Sequence, residues 1–172
     1  YCHSRGVKVH ITLNTLIKDC ELSDVIDTIK KICSSGADAI IIQDLGVARL
    51  VREICPDIEM HASTQLSVGT LEGLKMLKDL GFSRAVLPRE LSFNEIKELC
   101  KDSPIDLEVF IHGALCMCVS GQCLMSSLIG GRSGNRGSCA GTCRLPYKLL
   151  DENNNILNKN NYILSMKDLC TL

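Results

Sequence analysis

The stretch Gly36-Ala37-Asp38-Ala39-Ile40-Ile41-Ile42-Gln43-Asp44 decides the fold. Its centre is apolar at every position, so both faces of a strand built from it are apolar. That is the pattern of a parallel strand covered by helices, because an antiparallel strand with one wet face alternates. Moving outward, the same unit recurs. Apolar runs lie at 7–13, 58–62, 84–87 and 107–111. Between the runs, stretches 22–35, 47–54, 67–80 and 92–100 carry apolar residues three and four apart, the spacing of an amphipathic helix. Gly36 and Gly81 follow two of these as helix stops, and Ser23, Ser67 and Ser92 are placed to cap. Units repeating at this interval predict an α/β protein: a partial TIM-like barrel of about five parallel βα units, with a doubly wound sheet as the alternative. Five strands do not close an eight-stranded barrel, so the remaining units lie outside this chain or the barrel is open.

The pattern divides the chain into a partial β/α barrel over 1–112, a cysteine-rich region over 113–146, and a tail over 147–172. In the tail, 147–150 and 162–164 predict a hairpin around an asparagine-rich turn, and Ser165-Met-Lys-Asp168 predicts a new helix capped by its serine. Tyr1 to Gly6 has the form of a helix end with its glycine stop, so the chain is expected to begin within a fold. The 172 residues suffice for one sizeable core. A net charge of −1 supplies no global attraction to nucleic acid or membrane. Nothing resembles a membrane span or a signal peptide, which points to the cytoplasm. In that compartment eleven cysteines argue against a disulfide scaffold. Cys20, Cys33, Cys55 and Cys100, near helix ends, are expected to be small buried apolar residues.

Ligands of βα folds gather at the carboxyl ends of strands. Those ends carry Asn14, Gln43-Asp44, His61 through Gln65, Arg89-Glu90 and His112. Singly, each is explained by polar residues beginning where strands stop. Together they describe one pocket suited to an acidic small molecule. His61, Arg89, Glu90 and His112 are its candidate catalytic groups, and Asn14, Gln43 and Gln65 its candidate substrate contacts. His61 suits general acid–base work as well as a hydrogen-bonded strand end. Arg89 and Glu90 suit a carboxylate grip as well as an ion pair closing the sheet's top.

Five cysteines fall between Cys116 and Cys143, among glycines and serines. Structural zinc sites favour paired cysteines two to four residues apart, twice over. Here six residues separate Cys116 from Cys123 and fifteen separate Cys123 from Cys139, which suits zinc poorly. Iron–sulfur clusters tolerate such loops, and Cys116, Cys123 and Cys139 with Cys143 or Cys170 would supply four thiolates. Zinc remains the alternative. A protease has less behind it: there is no His-Glu-x-x-His and no Gly-x-Ser-x-Gly, only dyads of Cys116 or Cys118 with His61 or His112. The run from Gly131 to Gly137, with Arg132 and Arg136, could cradle an RNA backbone or offset thiolate charge.

The run Glu108-Val-Phe110-Ile-His-Gly113-Ala114-Leu115-Cys116-Met-Cys-Val-Ser-Gly121-Gln-Cys123-Leu-Met125-Ser126 resembles the signature of the collagenase-like peptidase family U-32, with every fixed position filled. His61-Ala-Ser-Thr-Gln65, the stretch from Asn135 to Arg144 and the stretch from Ser165 to Cys170 resemble the family too, so the likeness spans nearly the whole chain. It implies a 4Fe-4S cluster beside a TIM-like barrel. The activity implied is hydroxylation of tRNA uridine, rRNA cytidine or the ubiquinone ring without molecular oxygen as donor, and prephenate as a small carboxylate partner for the RNA-modifying members. It implies Cys116, Cys123 and Cys139 as ligands, Cys170 as the fourth with Cys143 as fallback, and Cys118 as a non-ligand. It also implies barrel units preceding this stretch, which attaches activity to a parent protein. The reading is an iron–sulfur enzyme acting on an RNA base. The alternatives are the peptidase of the family's name and a zinc-stabilised module binding RNA through Arg132, Arg136 and Arg144.

Overall fold

The computed structural model describes residues 1–167 and 169–170, with the backbone alone at 159–160 and 169–170. Five strands, β1 (His10–Leu13), β2 (Ala39–Ile42), β3 (Glu59–Ala62), β4 (Phe82–Val86) and β5 (Asp106–Glu108), form one all-parallel sheet in chain order. Helices α1 (Leu22–Ser34), α2 (Leu45–Ile54), α3 (Leu71–Asp79) and α4 (Phe93–Asp102) make the four crossovers. Strand order 1-2-3-4-5 never reverses, whereas a doubly wound sheet must reverse at its switch point. The order is that of consecutive barrel units, but among the described residues the sheet is open, with β1 and β5 as edges. The α/β class and five parallel units agree with the sequence; the described residues do not close a barrel.

Side chains alternate across the sheet. Ile40 and Ile42, Met60 and Ala62, and Ala85 and Leu87 face the helices, where they meet Ile29, Val47, Val51, Leu74, Leu77 and Leu99 in one core. The opposite face carries the register row Thr12, Ile41, His61, Arg84 and Asp106. Arg84 bridges Asp106 at 3.2 Å and Glu108 at 3.5 Å there. The row is kept in step by a bulge in β4, where Met60 pairs Phe82 but His61 pairs Arg84.

Several boundaries move for local reasons. Ser92 caps α4 through a full capping box with Glu95. Helix α3 is capped by Thr70 instead of Ser67, which sits left-handed at φ 54° and closes a 3-10 turn. Helix α1 starts at Leu22, so Ser23 lies within its first turn. Gly6 does end a short 3-10 turn, at φ 70°. Of the four cysteines expected to be buried, Cys33 and Cys55 are half-buried and hydrogen-bond to each other, while Cys20 and Cys100 are exposed.

Beyond β5 the elements are short: β6 (His112–Gly113), α5 (Met125–Gly130), and an antiparallel ribbon of β7 (Tyr147–Leu150) and β8 (Ile156–Asn161). The ribbon turns on Asp151, whose carboxylate accepts from the Asn153 and Asn155 amides, so its second strand starts earlier than 162. The helix expected from Ser165 does not form over the described residues. The Ser165 hydroxyl accepts from Arg144 at 2.9 Å instead of capping, and β9 (Leu169–Cys170) pairs antiparallel with β6. Asp168 of that expectation lies outside the described residues.

Candidate functional site

A cavity of about 330 Å3 opens at the carboxyl end of the sheet. Asn14 follows β1, Ser63, Thr64 and Gln65 follow β3, and Arg89 follows β4; Phe110, the stretch from His112 to Leu115, and Ser120 close the far side. Four residues singled out in the sequence thus meet around one cavity: Asn14, Gln65, Arg89 and His112. The Gln65 Oε1 is buried with no hydrogen-bond partner among the described residues, an acceptor that a ligand N–H would satisfy.

Four other strand-end residues stand elsewhere. His61 is 1% exposed, one layer down on the sheet. Its Nε2 faces the Glu59 carboxylate at 3.2 Å and its ring meets that of His10 edge-on at 4.8 Å. Burial holds its pKa below the ordinary histidine range, with Glu59 opposing. Gln43 is buried, and its Oε1 likewise lacks a partner among the described residues. Asp44, polar for a local reason, caps α2 by accepting from Gly46 and Val47 and also holds the Ile17 amide.

Glu90 and Arg89 converge on Ser120. The Glu90 carboxylate accepts from the Ser120 amide at 2.9 Å and hydroxyl at 3.2 Å. Arg89 donates to the Ser120 hydroxyl twice, at 3.4 Å. Ser67 donates to the Ser120 carbonyl, and Asn135 to the carbonyl of Gly121. Gly121 lies at φ 72° against the Gln65 backbone, where any Cβ would overlap the Gln65 carbonyl. The cysteine loop is therefore plugged into the sheet by its two small residues, and Arg89 and Glu90 anchor that plug. Ser120, Ser67 and Asn135 were not legible as site residues, since their partners lie far away in sequence.

Cys116, Cys118 and Cys123 share this loop. Burial, with the neighbouring Cys123 and Cys116 thiols, pushes the Cys118 pKa up, the electrostatic mark of crowded sulfurs. Gly134 lies between Cys123 and Cys139: a Cβ there would sit 4.0 Å from both the Cys123 carbonyl oxygen and the Cys139 Sγ. The Cys139 sulfur accepts the Gly141 amide at 3.3 Å. Cys170 pairs through its backbone with His112, four residues before Cys116. Arg144 ties these approaches together, donating to the Leu115 carbonyl at 2.7 Å and to Ser165 Oγ and the Met166 carbonyl at 2.9 Å. All ten cysteines with described side chains are free, so the donor set suits a thiolate-bound metal or cluster. Among the described residues no three ligating side chains already stand around one metal position. Arg136 is engaged with Glu21 and the Leu16 carbonyl, and its guanidinium holds the Glu21 carboxyl below its usual range. Arg132 donates to the Ser138 carbonyl at 3.0 Å and is exposed.

The 23S rRNA 5-hydroxycytidine C2501 synthase of Escherichia coli (strain K12) is 43% identical over 168 residues, covering 98% of this chain and 25% of that protein. The tRNA hydroxylation protein P of Haemophilus influenzae is 39% identical over 148 residues, covering 86% of this chain and 32% of its own length. The chain thus spans about a quarter to a third of these curated relatives. The solved structure of the U32 peptidase Mk0906 superposes with a TM-score of 0.56 over 66% of this chain and 49% of that one, at 17% identity, a likeness of fold alone. A family model described as peptidase family U32 matches residues 1–172, and the chain belongs to that family.

Proposed function

We propose that this chain carries the cluster-binding and substrate-facing part of an enzyme that hydroxylates a base of tRNA or rRNA. The observation that carries the reading is the junction of loop and cavity: Ser120 and Gly121, between Cys116 and Cys123, are anchored at the rim of the strand-end cavity. Two relatives, named for hydroxylation of rRNA and of tRNA, support it. Cys116, Cys123, Cys139 and Cys170 would hold a 4Fe-4S cluster, with Cys143 as the other choice for the fourth ligand. When bound, such a cluster supplies one-electron redox chemistry. The free thiols suit a reducing, cytoplasmic setting. No helix among the described residues is long and apolar enough to cross a membrane.

The chain's own residues orient the reactants. Arg89 contacts the neutral Ser120 hydroxyl and forms no ion pair among the described residues, so its charge can take a small carboxylate such as prephenate. His112 borders both the cavity and the cysteine loop and can hold or release a proton there. Asn14 and Gln65 offer amides to the substrate's polar edges. His61, whose pKa burial lowers, stands outside the cavity lining and takes no direct part in this arrangement. Arg132 is exposed for an RNA phosphate.

Anaerobic purification followed by iron, sulfide and EPR measurement tests the cluster. Substoichiometric iron and sulfide would overturn it, and zinc without sulfide would favour the zinc-stabilised module. Peptide cleavage that vanishes in His112→Ala or Cys116→Ala would replace hydroxylation with proteolysis.

A further inference from the structure

We propose that the strand-end cavity receives a single RNA base swung out of its stack, with Phe110 as the surface on which that base lies. The proposal rests on the RNA reading above and specifies how the substrate enters. Among the described residues Phe110 is the one phenylalanine, tyrosine or tryptophan lining the cavity, with the smaller His112 ring two positions on, in a chain with three phenylalanines, three tyrosines and no tryptophan. It is 55% exposed and takes no part in the hydrophobic core, so packing does not account for its place. An open aromatic face beside hydrogen-bonding side chains is what an unstacked base uses: the ring covers its face while polar groups meet its edge.

The remaining lining fits that division. Asn14 and Gln65 contribute carboxamides, Ser63 and Thr64 hydroxyls, and the unsatisfied Gln65 Oε1 calls for an N–H donor, which every base with an amino or imino edge provides. Among the described residues no carboxylate lines the cavity and Arg89 brings a positive charge to it, so a neutral or anionic ligand suits it better than a cationic one. At about 330 Å3 it lies near the lower limit of small-molecule pockets, room for one base and not for a stacked run. A base kept within a helix offers its edges but buries its faces, so only an extruded base can use Phe110 and the amides together.

The test uses the full chain and a pool of stem–loop RNAs with randomised loops, half of the preparations carrying 5-iodopyrimidines. Filter binding and photocrosslinking with mass-spectrometric mapping are the readouts, and thermal melting confirms that each variant is folded. The expected result is a crosslink at Phe110, binding about 5- to 100-fold weaker in Phe110→Ala, and near-native binding in Phe110→Tyr. RNA binding at native strength in Phe110→Ala, with crosslinks mapping elsewhere, overturns the base pocket and leaves the RNA reading standing. Failure of the unsubstituted chain to bind the pool, total tRNA or rRNA overturns the RNA reading itself.

Discussion

The two halves of the molecule are held together by different physics. Among the described residues every buried hydrophobic one lies at or before Leu99, in the sheet, its helices and their adjoining turns. Beyond β5 the buried residues among those described are Ser120, Ser126 and Thr142, all polar. The first half folds by removing apolar surface from water, a large and non-directional force. The second is fixed by directional hydrogen bonds from a few charged side chains, among them Arg89, Glu90, Arg136 and Arg144. It leaves Leu124, Leu128 and Ile129 more than half exposed. A sheet with its own core can position a site, whereas a polar loop region depends on that sheet and on whatever its thiols bind.

Four substitutions or conditions separate the halves, beginning with the largest effect. Leu74 is fully buried between α3 and the sheet, so Leu74→Ala should cost about 2–5 kcal/mol in urea unfolding. Because the loop region leans on the sheet, its exchange protection should fall along with that of the sheet. Protection lost in the sheet alone would show two independent units.

Gly121→Ala adds a methyl against the Gln65 carbonyl at a left-handed position, a strain of about 1–3 kcal/mol. Undocking of the loop should relieve it. Hydrogen exchange at 116–123 should rise while the amides of β2 and β3 keep their protection; unchanged exchange in the loop would contradict the plug.

Arg144→Gln removes charged hydrogen bonds to Leu115, Ser165 and Met166. At a half-exposed site the loss should be about 1–2 kcal/mol, confined to 115–118 and 165–167. Loss of protection in both segments together is the expected signature, since one side chain holds them.

The smallest effect is one of pH and belongs to the sheet half. Burial, and then the neighbouring Cys55 thiol, pushes the Cys33 pKa from 9.0 up to about 11. The unfolded chain therefore loses this proton first as pH rises. The contribution is complete below pH 9 and fades as pH climbs toward 11, so stability should decline across that window. Cys33→Ala should flatten the alkaline limb; an unchanged slope would assign it to other groups.

How much was legible follows the range of the forces involved. The strand Ala39–Ile42 and the Ser92 capping box could be located because their causes lie within a few residues. Asp44 shows the limit: it stood out as a strand-end polar group, but its carboxylate caps the next helix. Asn14, Gln65, Arg89 and His112 could be brought together because βα order by itself places strand ends side by side. Helix α5 was missed since its six residues show no amphipathic period. Ser165 has a cap's sequence, yet a distant arginine claimed its hydroxyl.

By itself the sequence determined a parallel α/β unit, because hydrophobic period and helix-ending glycines are written locally, and it marked the cysteine loop as the chemical centre through its composition. Only the tertiary structure decided that Ser120 and Gly121 seat this loop on the sheet, that Arg89 and Glu90 hold it there, and that Phe110 faces the cavity. Those choices depend on contacts between residues tens of positions apart, where a hydrogen bond forms only once the hydrophobic core has brought its donor and acceptor within reach.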